Sequence, residues 1–131
     1  MYLHVYKGNP TAGGTDGNQV SEGTELNPIL TPALNALNNE ESAAIKLALR
    51  CEAGYNTSGS TTITPSGTTS AMWALSLDSV TWGSYGSALT ISTVIGVVNT
   101  VFYVKAKAVS SESPANDTSV DFQVVGNIVA V

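Results

Sequence analysis

Asn99 to Pro114 reads NTVFYVKAKAVSSESP, and this stretch decides the fold. Phe102, Val104, Ala106 and Ala108 alternate with Tyr103, Lys105, Lys107 and Val109. A two-residue period gives one apolar and one mainly polar face, the pattern of a half-buried antiparallel strand. The lysines identify the wet face, because an unpaired ammonium is costly to bury. Pro114, which has no N–H for a ladder, follows the serine-rich Ser110–Ser113 and ends the strand.

Working outward, the same period recurs in Tyr2–Lys7, in Trp73, Leu75 and Leu77, in Leu89 and Ile91, and in Val120, Phe122 and Val124. Gly8, Asn9 and Pro10 stop the first strand, and a glycine-rich loop or arm occupies 8–18. Short extended pieces are expected at Val20 and Ile29–Ala33, the second bounded by two X-Pro steps. Leu34–Ala53 has two readings. Ile45, Leu47, Leu49 and Cys51 keep period two, which favours a strand, while Asn38 and Glu41 fit a helical capping box and leave a short helix within 34–44 as the alternative. Gly54–Gly59 reads as a turn, Ser60–Thr64 as a threonine-rich strand closed by Pro65, Asp78–Gly86 as a turn-rich link, and Ile128–Val131 as a separate last strand. Seven to nine short strands with turns between them, and no βαβ pattern, predict an all-β antiparallel sandwich forming a single domain over 1–131.

Composition narrows the function. Of 131 residues 11% are charged, and the net charge is -5. Five cations (Lys7, Lys46, Arg50, Lys105 and Lys107) do not make a phosphate-neutralising patch, so neither nucleic acid nor an anionic membrane is expected as partner. Outer strand faces rich in Ser and Thr instead suit close contact with another protein. The N-terminus, MYLHVYKGNP, has no cationic segment leading into an apolar run, so no signal peptide is read there and synthesis in a cytoplasm is expected.

Catalytic patterns are weak. Cys51 is the single cysteine and falls on the apolar side of its alternation; as a nucleophile it would need a base, and His4, the single histidine, reads as a surface imidazole. Gly13, Gly14 and Gly17 precede no helical pattern, unlike a phosphate-binding loop. Asp16, Glu112, Asn116 and Asp117 do not form a calcium-loop motif, and Asp117 and Asp121 are not a recognisable acid pair. No enzyme activity, cofactor or metal is expected. Trp73 is assigned to the core and Trp82 to covering one end of it. The alternative role for Trp82, with Tyr85 and Tyr55, is a stacking platform for a carbohydrate ligand.

Two segments carry a family likeness. FYVKAKAVSSESP (102–114) resembles the F strand and following loop of fibronectin type III and related immunoglobulin-like domains. MWALSLDSVTW (72–82) is similar to the bacterial and phage form of an earlier strand and turn, W-x-x-S-x-D-G-x-x-W, with Ser79 where glycine is usual. Phe102 replaces the tyrosine of that family's tyrosine corner. The likeness implies an immunoglobulin-like sandwich. Over a longer span, YKGNPTAGGTDGNQVSEG, IKLALRCEAGY and VKAKAVSSESPANDTSVDFQV resemble small proteins encoded among structural genes of Firmicute tailed phages and prophages. That resemblance implies a non-catalytic virion protein, a capsid decoration or tail-associated module. Its partner would be a protein lattice or a second copy. The residues expected to make contact are Asn9, Thr11, Asp16 and Asn18 on the loop or arm, and Trp82 and Tyr85 on the later loop.

Overall fold

A computed structural model of the chain describes residues 3–19, 44–66, 70–107 and 121–131. Among them are eight strands: β1 Leu3–Lys7, β2 Asn18–Gln19, β3 Ile45–Cys51, β4 Tyr55–Ser66, β5 Trp73–Ser76, β6 Leu89–Ile91, β7 Thr100–Ala106 and β8 Asp121–Ala130. They form two antiparallel sheets, ordered β2-β1-β3-β7-β5 and β6-β4-β8. Leu47 faces Phe102 across β3 and β7, and Leu75 faces Val104 across β5 and β7. Those side chains meet Ile63 and Ile91 of the smaller sheet in one buried cluster, closed by Ile95. The protein is an all-β sandwich.

The alternation of β7 is realised as read. Phe102, Val104 and Ala106 are buried, and Tyr103, Lys105 and Lys107 lie half-buried on the other face. Trp73 is in the core, and Cys51 is buried with its thiol donating to the Ile95 carbonyl at 3.4 Å. The strand reading of Ile45–Cys51 holds; the candidate short helix within 34–44 (apart from Ala44), the extended pieces at 20 and 29–33 and the end of the 99–114 stretch lie outside the described residues.

Several expectations are corrected. The segment 55–59 is strand, not turn. Asn56, Thr57 and Ser58 pair with Val129, Ile128 and Asn127, and the ladder resumes at Thr62 opposite Val125. Between these pairs, Gly59, Ser60 and Thr61 oppose Gly126 alone, so the turn-forming residues are taken up in a bulge, with Gly59 at φ 80°. Pro65 does not end β4 either: β6 stops opposite Ile63, so β4 is bordered there by β8 alone, a place where proline is tolerated. Ile128–Val131 is not a separate strand, because β8 runs unbroken through Ala130. β5 begins at Trp73, after a single 3-10 turn over Ser70–Met72.

Strand order also revises the place of β7. In immunoglobulin-type sandwiches one sheet is A-B-E-D and the other C-F-G. Here β1, β3, β7 and β5 follow the first order, and β4 pairs with β8 as C does with F. The 100–106 strand therefore takes the position of E, between β3 and β5, despite its F-like sequence. β6, drawn from between β5 and β7, has no counterpart at that point of the order.

The bulge leaves one buried hydroxyl, Thr61 Oγ1, without a hydrogen-bond partner, and a Cβ at Gly126 would lie only 2.9 Å from it. Thr61→Val keeps the shape and removes the unsatisfied oxygen. It is expected to leave stability unchanged or raise it by up to about 1 kcal/mol, read by urea unfolding.

Candidate interaction surface

The residues expected to make contact lie on two loops that are fastened to the larger sheet. In the first, Thr11 donates from its backbone N–H and its hydroxyl to the two oxygens of Asp16, at 2.8 and 2.9 Å. Asn99, at the start of β7, exchanges backbone bonds with Gly13 and Gly14, and its amide nitrogen donates to the Thr11 carbonyl, the Asp16 carbonyl and Asp16 Oδ1. Arg50 Nη1 donates to the Asp16 carbonyl at 2.7 Å and to Asn99 Oδ1 at 2.8 Å, with the guanidinium 3.6 Å from the centre of the Tyr6 ring. Pro10 is fully buried, while Asn9, Thr11, Asp16 and Asn18 are exposed. This is a pinned loop and not a free arm.

The second loop follows β5. Ser76 Oγ donates to the Thr81 carbonyl at 2.6 Å and accepts from the N–H groups of Asp78 and Ser79. Asp78 Oδ1 accepts from the N–H groups of Val80 and Thr81. Ser79 has φ 61°, a left-handed conformation that accounts for glycine being usual at this place in the resembling pattern. Trp82 Nε1 donates to the Ser79 carbonyl, and the loop returns along β5 through bonds from Gly83 N–H to Leu75 and from Gly86 N–H to Trp73.

Trp82 is not part of the buried core cluster: it lies on the outer face of the larger sheet with Lys105 Nζ 4.7 Å from its ring centre. Lys107 Nζ is 4.3 Å from the Tyr85 ring. Each ammonium occupies one aromatic face that a pyranose would use, at the separation of a cation–π contact. The two loops are not brought together either. Asn99 and Lys105 are at opposite ends of β7, six residues or roughly 20 Å apart.

His4 is corrected from surface to interior. It is 7% exposed, and its Nε2 lies 3.1 Å from Glu52 Oε1. It cannot serve Cys51: Leu3 and not His4 is the register partner of Cys51, and the two side chains point to opposite faces of the sheet. Burial pushes the Cys51 thiol above its ordinary pKa, which favours the unreactive form. Among the described residues no three His, Cys, Asp or Glu side chains converge to hold a metal ion, and no helix is long and apolar enough to cross a membrane.

The surface missed by residue-by-residue reading is the outer face of the smaller sheet. Val125 and Val129 of β8 stand there beside Thr62 and Asn56 of β4, with Asn127 beside Ser58. β4 and β6 contain no charged residue, and β8 contains only Asp121 at its start. All five Lys and Arg residues belong instead to the strands of the larger sheet or directly follow β7. The signal was present in the sequence as an uncharged run from Tyr55 to Ser66, but only the ladder with β8 turns it into a face. Comparison of the chain with protein-family models, with curated proteins and with solved structures returns no match.

Both fastened loops carry an acid sensitivity. The Thr11 N–H and hydroxyl hold the Asp16 carboxyl below its ordinary value of 3.8, and the N–H groups of Thr81 and Val80, with the Ser76 hydroxyl, do the same for Asp78. A depressed carboxyl pKa contributes stability that is complete above the unfolded value and is lost as pH falls through the folded one. The loops are therefore expected to hold unchanged from neutrality down to about pH 4 and to loosen only below it. The Thr11 and Thr81 amide signals in NMR, followed against pH, check this.

Proposed function

We propose that the protein is a non-catalytic structural component of a tailed phage or prophage particle, acting by burying surface against other protein. The observation that carries this reading is the segregation of charge. One outer face is free of Lys and Arg, hydroxyl-rich and studded with exposed valines, while the cations lie on the strands of the other sheet or directly after β7. Such a face loses little on desolvation compared with a charged one, and exposed apolar side chains ringed by polar ones mark protein-binding surfaces. The resemblance of 6–23, 45–55 and 104–124 to proteins of phage structural gene clusters supplies the setting. The small sheet would supply contact area, and the pinned loops a rigid edge.

The test is to purify particles by density gradient from a Firmicute host carrying the gene and to identify their proteins by mass spectrometry. The chain is expected in the particle band at a fixed ratio to the other structural proteins. Its recovery from the soluble fraction alone contradicts the reading. A glycan array provides the contrast: saturable binding lost on Trp82→Ala would replace this function with an adhesive one.

A further inference from the structure

The two sheets have four borders, and three of them are blunted. β2 is two residues long. β5 is four residues long, and its Trp73 and Leu75 carbonyls accept from Gly86 and Gly83 of the following loop. β6 is three residues long. β8 is the exception. It runs ten residues, and among the described residues it pairs with β4 alone. In the immunoglobulin order the strand at this place is interior, flanked on both sides. Soluble proteins protect a long bare border with lysine, proline or a covering segment, because its free N–H and C=O groups are a template for another strand. From Phe122 to Val131 this strand has no charge and no proline.

We infer that β8 is an association edge whose occupant is β8 of a second copy, paired antiparallel about a two-fold axis at Asn127. Closure decides the orientation. Two identical edges that close on each other are related by a two-fold axis, which runs the paired strands antiparallel and ends the association at two copies. The pattern of outward side chains decides the register. With Asn127 on the axis, Val125 stands opposite the partner's Val129, and Val129 opposite the partner's Val125. Val125 is 61% exposed and Val129 42%, so both valine pairs gain burial from the contact. Asn127 meets the partner's Asn127, and a primary amide both donates and accepts, so the central pair is self-complementary. Residues 123–131 enter the ladder. The two smaller sheets then become one six-stranded sheet with a continuous face free of Lys and Arg. This inference stands apart from the particle setting: it concerns the isolated protein.

Sedimentation velocity over a concentration series tests it. The wild type is expected to dimerise. Asn127→Lys and Asn127→Asp, each placing like charges opposite one another, are expected to weaken association by about tenfold. Mixing the two variants restores it, since Lys then faces Asp. Asn127 is exposed, and circular dichroism checks that each variant is folded. Amide exchange on the wild type gives an independent reading, with β8 amides slowing as concentration rises. A wild type that stays monomeric with concentration-independent β8 exchange overturns the inference. So does a dimer indifferent to both substitutions, which would place the contact elsewhere.

Discussion

Phe102→Ala is expected to lower the unfolding free energy by about 3–5 kcal/mol, enough to threaten the folded state of a domain this size. Phe102 is fully buried on β7, the strand between β3 and β5, with Leu47 directly opposite. Its ring lies in the cluster that joins the two sheets through Ile63 and Ile91. Truncation therefore removes apolar burial and leaves a void bounded by rigid strands, which collapse poorly around it. Tyr103→Ala, one residue along and on the other face, is the control. Tyr103 is half-buried opposite Lys46, and its loss is expected to cost less than about 1.5 kcal/mol. Chemical denaturation of both variants reads the difference. Equal losses would mean that β7 does not present two unlike faces.

The second large effect falls on Asn99→Ala. Asn99 is 4% exposed and joins three parts of the chain: the 9–17 loop through Thr11 and Asp16, β3 through Arg50, and β7, which it precedes. Alanine withdraws the amide donors from two backbone carbonyls and the acceptor from a guanidinium. A neutral hydrogen bond contributes about 1 kcal/mol net and one to a charged group somewhat more, so a loss of about 2–3 kcal/mol is expected. Asn99→Asp is expected to do little better at neutral pH. It keeps the acceptor for Arg50 but sets a second carboxylate beside Asp16. Amide exchange should show Gly13 and Gly14 released first. Retention of their protection in both variants would contradict the pinning described above.

What was legible in the sequence follows from how local the physics is. In β7 each residue's polarity matches its own face, so period two alone reveals both the strand and its inward side chains. Cys51 and Trp73 were placed correctly for the same reason. Residues 55–59 were not, because Asn56, Ser58 and Gly59 are turn formers by local preference. Their extended conformation is imposed by β8, some seventy residues later, across a bulge that absorbs Gly59. His4 was misread through its partner, Glu52, which is 48 positions away and contributes nothing to local alternation. Alternation likewise cannot say which sheet a strand joins, so an F-like sequence took the E position unannounced.

The candidate surface divides in the same manner. The loop residues Asn9, Thr11, Asp16, Asn18, Trp82 and Tyr85 were picked for their types, and the structure shows what each loop is tied to. Neutral strand faces could be read from composition. That they gather on one sheet, while the cations gather on the other, depends on strand order.

That division is the centre of the account, and two outward-facing residues test it most directly. Ala48 lies on the outer face of the larger sheet, between Tyr6 and Val101, yet has no exposed surface; Val125 lies on the outer face of the smaller sheet and is largely exposed. The measurement is the unfolding free energy of Ala48→Glu beside that of Val125→Glu, each at a concentration low enough to keep the protein monomeric. Burying a carboxylate at Ala48 is expected to cost several kcal/mol or prevent folding, and the same charge at Val125 to stay within about 0.5 kcal/mol of wild type. A tolerated glutamate at 48 with a destabilising one at 125 would mean that the covered and open faces have been assigned the wrong way round.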